Sequence, residues 1–311
     1  MISFVDHLIS LGRENPSCQR HRSNEYARVV PPQEGVMACL RLWFVSCIAL
    51  ASGGCALPPQ DPPSPDPEAV LDHFLCYLVT PALVLTREVI LKDQFTVQGK
   101  PKPITVGKRT MLCNPVEKAF GDHRTARKKP EAHLVCYEIQ PDDTPAAAVA
   151  IRNQFHRQPL NFQTDAARLL CLPSGKSRTQ PAPGIPPGLD HFKCYVPQGM
   201  INVNNFAVGL QDQFLTKEKN FTVAFVTALC NPVEKAVLPP DIAQRRQRPG
   251  DIDEAIRAAP LLNGDAHLVC YGLEPIEYLE ERVLITNQFE RGAPIIATRT
   301  QMLCVPSTKR H

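Results

Sequence analysis

The sequence predicts an all-β protein of two tandem antiparallel β-barrel or sandwich-like domains. Each domain is expected to be a duplicated three-stranded unit, stapled by disulfides. Three observations carry this. A compound pattern, H-[FL]-x-C-Y, then [DN]-Q-F, then L-C-x-P-x-x-K, occurs four times between residues 70 and 309. Apolar residues inside each copy alternate with period two, the mark of a half-buried strand. Eight of the 12 cysteines fall in the pattern, two per copy, at separations of 37, 35, 36 and 34 residues. Self-similarity of this kind marks a repeat architecture.

Taken in order, residues 1–36 carry no repeat and read as an upstream extension. At Met37 a short basic stretch leads into the apolar run 42–51, and Ala49 and Ala51 supply the small residues of a cleavage site. Residues 37–56 therefore read as a signal peptide, too short for an ordinary membrane span. Cys55 follows Ser52-Gly53-Gly54 and gives the alternative of a lipid anchor, with the Pro-rich linker 57–69 as its tether. The mature chain is expected to have no transmembrane span.

The first domain is expected at 70–176, with units 70–118 and 131–176. A Pro/Gly-rich linker spans 177–188. The second domain covers 189–309, with units 189–235 and 265–309. The first and third units end in Cys-Asn-Pro-Val-Glu-Lys and the second and fourth in Cys-x-Pro-Ser-x-Lys, so the order is A-B-A′-B′. Each unit opens with a strand in which, for example, Phe74 and Cys76 share one face and His73, Leu75 and Tyr77 the other. A middle strand places Val89, Leu91, Asp93 and Phe95 on one face. A third strand leads into the second Cys, and Pro115, Pro173, Pro232 and Pro306 are expected to end it. The joins 119–131 and 237–264 are polar and variable, and read as surface loops.

An even number of regularly placed cysteines behind a signal peptide reads as a disulfide framework. The simplest pairing is one bond per unit: Cys76 with Cys113, Cys136 with Cys171, Cys194 with Cys230, and Cys270 with Cys304. The alternative links the two units of a half. Metal is disfavoured, because His and Cys three apart on a strand face opposite ways and no C-x-x-C occurs. No cofactor motif is present.

His73, His133, His191 and His267 recur four residues before Tyr77, Tyr137, Tyr195 and Tyr271. Such pairs can act as general acid and base. Recurrence in every unit favours scaffolding, since catalysis needs one asymmetric site. Asp93, Asn153, Asp212 and Asn287 are expected to close a turn at a strand end, with the following Phe in the core. A net charge of +3 argues against a nucleic-acid partner.

Together these motifs resemble an uncharacterised repeated domain of secreted bacterial proteins. The resemblance covers nearly all of 70–309, implies an exported, Cys-bridged, β-rich protein, and brings no activity. The expected function is a non-catalytic binding or structural role, secreted or in the cell envelope, with an extracellular polymer or surface protein as partner. The alternatives are a secreted enzyme with a site where units meet, drawing on residues such as Asp251–Glu254, or a protease-inhibitor-like scaffold. Amino-terminal sequencing of the exported protein should show a start after Ala51 or a modified Cys55. A mature start at Met1 would overturn the signal assignment.

Overall fold

The computed structural model describes residues 66–96, 102–140, 144–181, 183–237 and 260–310. The chain divides into compact units at 1–60 and 61–311, and all described residues belong to the second. The signal-like segment, Cys55 and Asp251–Glu254 lie outside the described residues.

A one-turn helix, α1 (Pro67–Val70), comes first, its Glu68 N–H capped by the Asp66 carboxylate at 3.0 Å. Each unit then contributes an opening, a middle and a long strand. Unit one has β1 (His73–Thr80), β2 (Val84–Lys92) and β3 (Pro103–Phe120), with β4 (His123–Thr125) turned back on the end of β3. Unit two has β5 (His133–Ile139), β6 (Ala148–Asn153) and β7 (His156–Ser177). Unit three has β8 (His191–Pro197), β9 (Ile201–Gln211) and β10 (Lys219–Val237). Unit four has β11 (His267–Glu274), β12 (Tyr278–Thr286) and β13 (Ala293–Arg310).

Opening and long strands alternate around one closed antiparallel ring, β1-β3-β5-β7-β8-β10-β11-β13 and back to β1. The expectation of two tandem domains is thereby corrected: the halves share one eight-stranded barrel. Each long strand has two edges. Its own opening strand fills one, and the opening strand of the next unit fills the other. A half alone would leave an edge of β1 and an edge of β7 bare, so the halves close on each other through β7–β8 and β1–β13.

Within a unit the strands face each other at the cysteines, as Cys76 faces Cys113. Between units the register slips by two residues, so that Cys113 faces Leu134, Cys171 faces Phe192, Cys230 faces Leu268 and Cys304 faces Phe74. Four such slips give a shear of about eight residues for eight strands, a barrel whose interior side chains just fill.

The four cystines are Cys76–Cys113, Cys136–Cys171, Cys194–Cys230 and Cys270–Cys304. Each also touches its neighbours: Cys113 Sγ lies 4.0 Å from Cys136 Sγ, Cys171 3.9 Å from Cys194, Cys230 3.8 Å from Cys270, and Cys304 3.8 Å from Cys76. Eight sulfurs in unbroken contact can only converge on the barrel axis. Phe74, Leu134, Phe192 and Leu268 share this inner cluster.

The outer face of the barrel carries Leu75, Tyr77 and their counterparts. The middle strands cover it. Val89 and Leu91 of β2 join the same cluster, with Phe95 in the turn just past it, as do the matching residues of β6, β9 and β12 and the Phe of the turn after each. Each middle strand pairs with its own long strand and with the tail of the long strand two units away. Thus β2 meets β10, β9 meets β3, β6 meets β13 and β12 meets β7.

The long strands run straight through Pro115, Pro173, Pro232 and Pro306, which were expected to end them. The reason lies in the ladder. Cys76 and Cys113, 3.9 Å apart at Cα, form a close, non-hydrogen-bonded pair. Pro115, two residues on and opposite Phe74, is therefore also in a non-bonded pair and would aim its N–H toward β5. Pairing with β5 has already ended at Cys113, so the missing donor costs no ladder bond.

Replacing both Cys76 and Cys113 by Ala should lower unfolding stability by about 4 kcal/mol, the loop-closure entropy of a ring this size. Urea denaturation checks it. An unchanged midpoint would show that strand pairing alone holds the barrel.

Candidate functional site: the motif network and its cleft

The repeat motifs meet on the outer face of the barrel, and they meet across the ring. Tyr77 donates to Asp212 Oδ2 at 2.9 Å, and Tyr195 to Asp93 Oδ2 at 2.8 Å. Both pairs link units one and three. The same carboxylates accept from Asn114 (2.8 Å) and Asn231 (3.0 Å). Units two and four are joined differently, because Asn replaces Asp. Asn153 Nδ2 donates to the Tyr271 hydroxyl (2.8 Å) and to Ser307 Oγ (2.9 Å). Asn287 Nδ2 donates to the Tyr137 hydroxyl (2.8 Å) and to Ser174 Oγ (3.2 Å).

A carboxylate needs donors and an amide N–H needs acceptors. That accounts for the alternation in the sequence. Asp in one odd unit requires the Cys-Asn of the other, and Asn in one even unit requires the Pro-Ser of the other. Each Asx also accepts the N–H of the Phe two residues on, at 2.8–3.3 Å, closing a turn at the strand end. Those four Phe rings stand edge-on to the motif tyrosines, 5.1–5.4 Å between centroids.

Among the described residues, His73, His133 and His191 find their surroundings away from the tyrosines that follow them. His73 Nε2 bonds Gln154 of the next unit at 2.7 Å. The ring nitrogens of His133 have no hydrogen-bond partner among the described residues. Burial, reinforced by nearby lysines, pushes His133 down to about 2 and His191 to about 3, and holds His73 well below its usual value. Burial likewise raises Tyr77, Tyr137 and Tyr271. Such groups stay neutral across the physiological range and are poor proton shuttles.

The closing Lys of each motif lies over the Phe of the next unit, buried in three copies and half-buried at Lys309: Lys118 over Phe155, Lys176 over Phe214, Lys235 over Phe289, Lys309 over Phe95. Burial lowers Lys118, Lys235 and Lys309 to about 8 and Lys176 to about 7. Lys176 and Lys309 bond Asn114 and Asn231, which bridge to Asp212 and Asp93. Lys118 faces an Asn unit, and its ammonium has no hydrogen-bond partner among the described residues.

Sequence reasoning missed one cluster. Arg109 is almost fully buried, pairs with Glu290 Oε1 and donates to Pro81 O at 3.0 Å. Tyr137 donates to the other Glu290 oxygen at 2.6 Å. The signal was present: Arg109 stands where other copies have Ala167, Val226 and Thr300, and Glu290 where they have Thr96, His156 and Leu215.

A cleft of about 440 Å³ opens over the Lys176–Asp212 link, with Arg127, Arg178, Gln211 and Gln213 at its sides. Arg127 holds Glu117 through two bonds (2.9 and 3.1 Å). Arg178 donates to Glu281 (2.9 Å) and to the Gln213 carbonyl (3.2 Å). A second cleft of about 420 Å³ shares Arg178 and Val283 and is walled by Pro81, Leu284, Pro294 and Ile295. Polar and apolar clefts thus adjoin on one side of the molecule.

These features define a closed, cystine-laced β-barrel assembled from four repeats. Residues 61–172, which take in unit one and most of unit two, match a family model described as a repeat of unknown function (DUF7450). No curated protein and no solved structure matches the chain.

The lysines bind protons less tightly folded than unfolded, so unfolding takes up protons between about pH 7 and the usual lysine value of 10.5. Stability should rise with pH across that window. Lys118→Met should raise it by about 1–2 kcal/mol at pH 7, by removing an unsatisfied buried donor, and should flatten the rise. Urea denaturation at several pH values tests this, and an unaltered slope would contradict it.

Proposed function

We propose that the protein is an exported binding protein whose barrel is a rigid mount for the paired clefts around Arg178. The observation that carries this is the division of labour among its residues. The polar motif groups are tied to one another in the scaffold, while Arg127 and Arg178, which break the repeat, border the cleft. Four cystines support a location where disulfides persist. A polar cleft continuing into an apolar one suits an extended, partly polar chain, such as a surface polysaccharide or an exposed polypeptide segment.

Arg127 and Arg178 lie outside the repeat motifs, so their removal tests binding with little effect on folding. In cosedimentation with insoluble cell-envelope polymer, the purified protein should be retained, and the Arg127→Ala/Arg178→Ala variant should lose at least about tenfold in affinity, the loss of one or two charge-assisted contacts. Equal retention of the two proteins would remove the cleft from the binding reading.

A further inference from the structure

Most cystines in a protein are isolated from one another. Here the eight sulfurs form a single circuit in which bonds within units alternate with contacts of 3.8–4.0 Å between units. Each contact joins a cysteine of one unit to a cysteine of the next, and the last joins Cys304 back to Cys76. All eight lie on the inner face of strands already paired, and the strands that carry each contact are hydrogen-bonded neighbours in the ring.

We propose that these eight cysteines are one redox site with two complementary pairings, and that a thiol created anywhere on it moves around the circuit by internal disulfide exchange. The first pairing is the one within units. The second is Cys113–Cys136, Cys171–Cys194, Cys230–Cys270 and Cys304–Cys76, which ties every unit covalently to its neighbour and β1 to β13.

The chemistry balances at each step. An external thiol or phosphine reductant delivers two electrons to the Cys76–Cys113 bond, leaving two thiols once two protons are taken up. The Cys113 thiolate then attacks Cys136 Sγ. The Cys113–Cys136 bond forms, the Cys136–Cys171 bond breaks, and the electron pair leaves on Cys171, which takes the proton. No net oxidation occurs. Cys171 attacks Cys194 and releases Cys230; Cys230 attacks Cys270 and releases Cys304. The two remaining thiols, Cys76 and Cys304, are the pair in contact across the ring closure. An external disulfide accepting two electrons from them completes the second pairing. Exchange needs the thiolate, which burial disfavours, so the circuit runs faster in mild alkali.

The circuit imposes a parity. In Cys171→Ser the Cys136 thiol is free. It can attack Cys113 and release Cys76, which attacks Cys304 and releases Cys270, which attacks Cys230 and releases Cys194. The thiol therefore visits Cys136, Cys76, Cys270 and Cys194, and never Cys113, Cys230 or Cys304. The test is to hold this purified full-length variant, with Cys18, Cys39, Cys47 and Cys55 also replaced by Ser, near pH 8.5 (about the free thiol's own pKa), quench with acid, alkylate, and map label and cross-links by mass spectrometry without reduction. Label spread over the four allowed cysteines, with the matching cross-links between units, is expected. Label confined to Cys136 would overturn the proposal, and so would label on a forbidden cysteine, which signals scrambling through unfolding. Should the variant fail to fold, the wild-type chain given one equivalent of phosphine provides the same reading. Cross-links such as Cys113–Cys136 support the circuit; thiols found only as the two halves of an original cystine, or cross-links between non-neighbours such as Cys76–Cys194, refute it.

Discussion

The sharing of each opening strand between two long strands is the constraint on which the rest depends. A strand such as β5 is hydrogen-bonded to β7 of its own unit and to β3 of the unit before it. No unit can satisfy both edges of its long strand alone, and no chain of units can do so until the first meets the last. Bare edges are aggregation templates, so the repeat number follows from closure. With a two-residue slip at each junction, four units supply the shear that closes eight strands around a filled interior. The interior has room for little beyond the sulfur circuit and its apolar neighbours, which places cysteine at the one position in each strand nearest the axis.

Closure also explains why the units are not identical. Once the ring forms, the middle strand of each unit lies against the tail of the long strand two units on. The polar groups of a motif must then match those of its opposite number, not those of its neighbour. An Asp met by Tyr and Asn is satisfied, as is an Asn met by a Tyr oxygen and a Ser oxygen. Placing either against the wrong partner would set donor against donor or acceptor against acceptor in a buried site. The A-B-A′-B′ order is therefore a register code: it allows unit one to dock with unit three and unit two with unit four.

Much of this was legible in the sequence. Period-two patterning located every middle strand and assigned its apolar face, because one side of a strand is buried and the other is not. The cysteine spacing gave the within-unit pairing as the simplest choice. What could not be read was the joining of the halves. The Pro/Gly-rich stretch at 177–188 has the composition of a linker between independent domains, and hydrogen bonding between β7 and β8 across it leaves no mark on composition. The long strands were also cut short at their prolines, because whether a missing N–H matters depends on which neighbour it would face. The contribution of Tyr to Asx four strands away was hidden for the same reason: its partner is more than 100 residues distant.

The buried lysines show how function can sit on such a frame. In a core, an ammonium is costly unless paired, and the fold supplies a bridged carboxylate to only two of the four, Lys176 and Lys309. Of these, Lys176 borders a cleft lined both by motif residues such as Gln213 and by Arg127 and Arg178, which lie outside the motif. Repetition fixes the polar chemistry of the interior four times over, so selection acting on a ligand can change only what the repeat leaves unspecified. Arg178 is such a position, reaching from the tail of unit two to Glu281 of unit four. The asymmetry that a binding surface requires thus appears where long-strand tails cross to opposite units, at the places where the scaffold has finished satisfying itself.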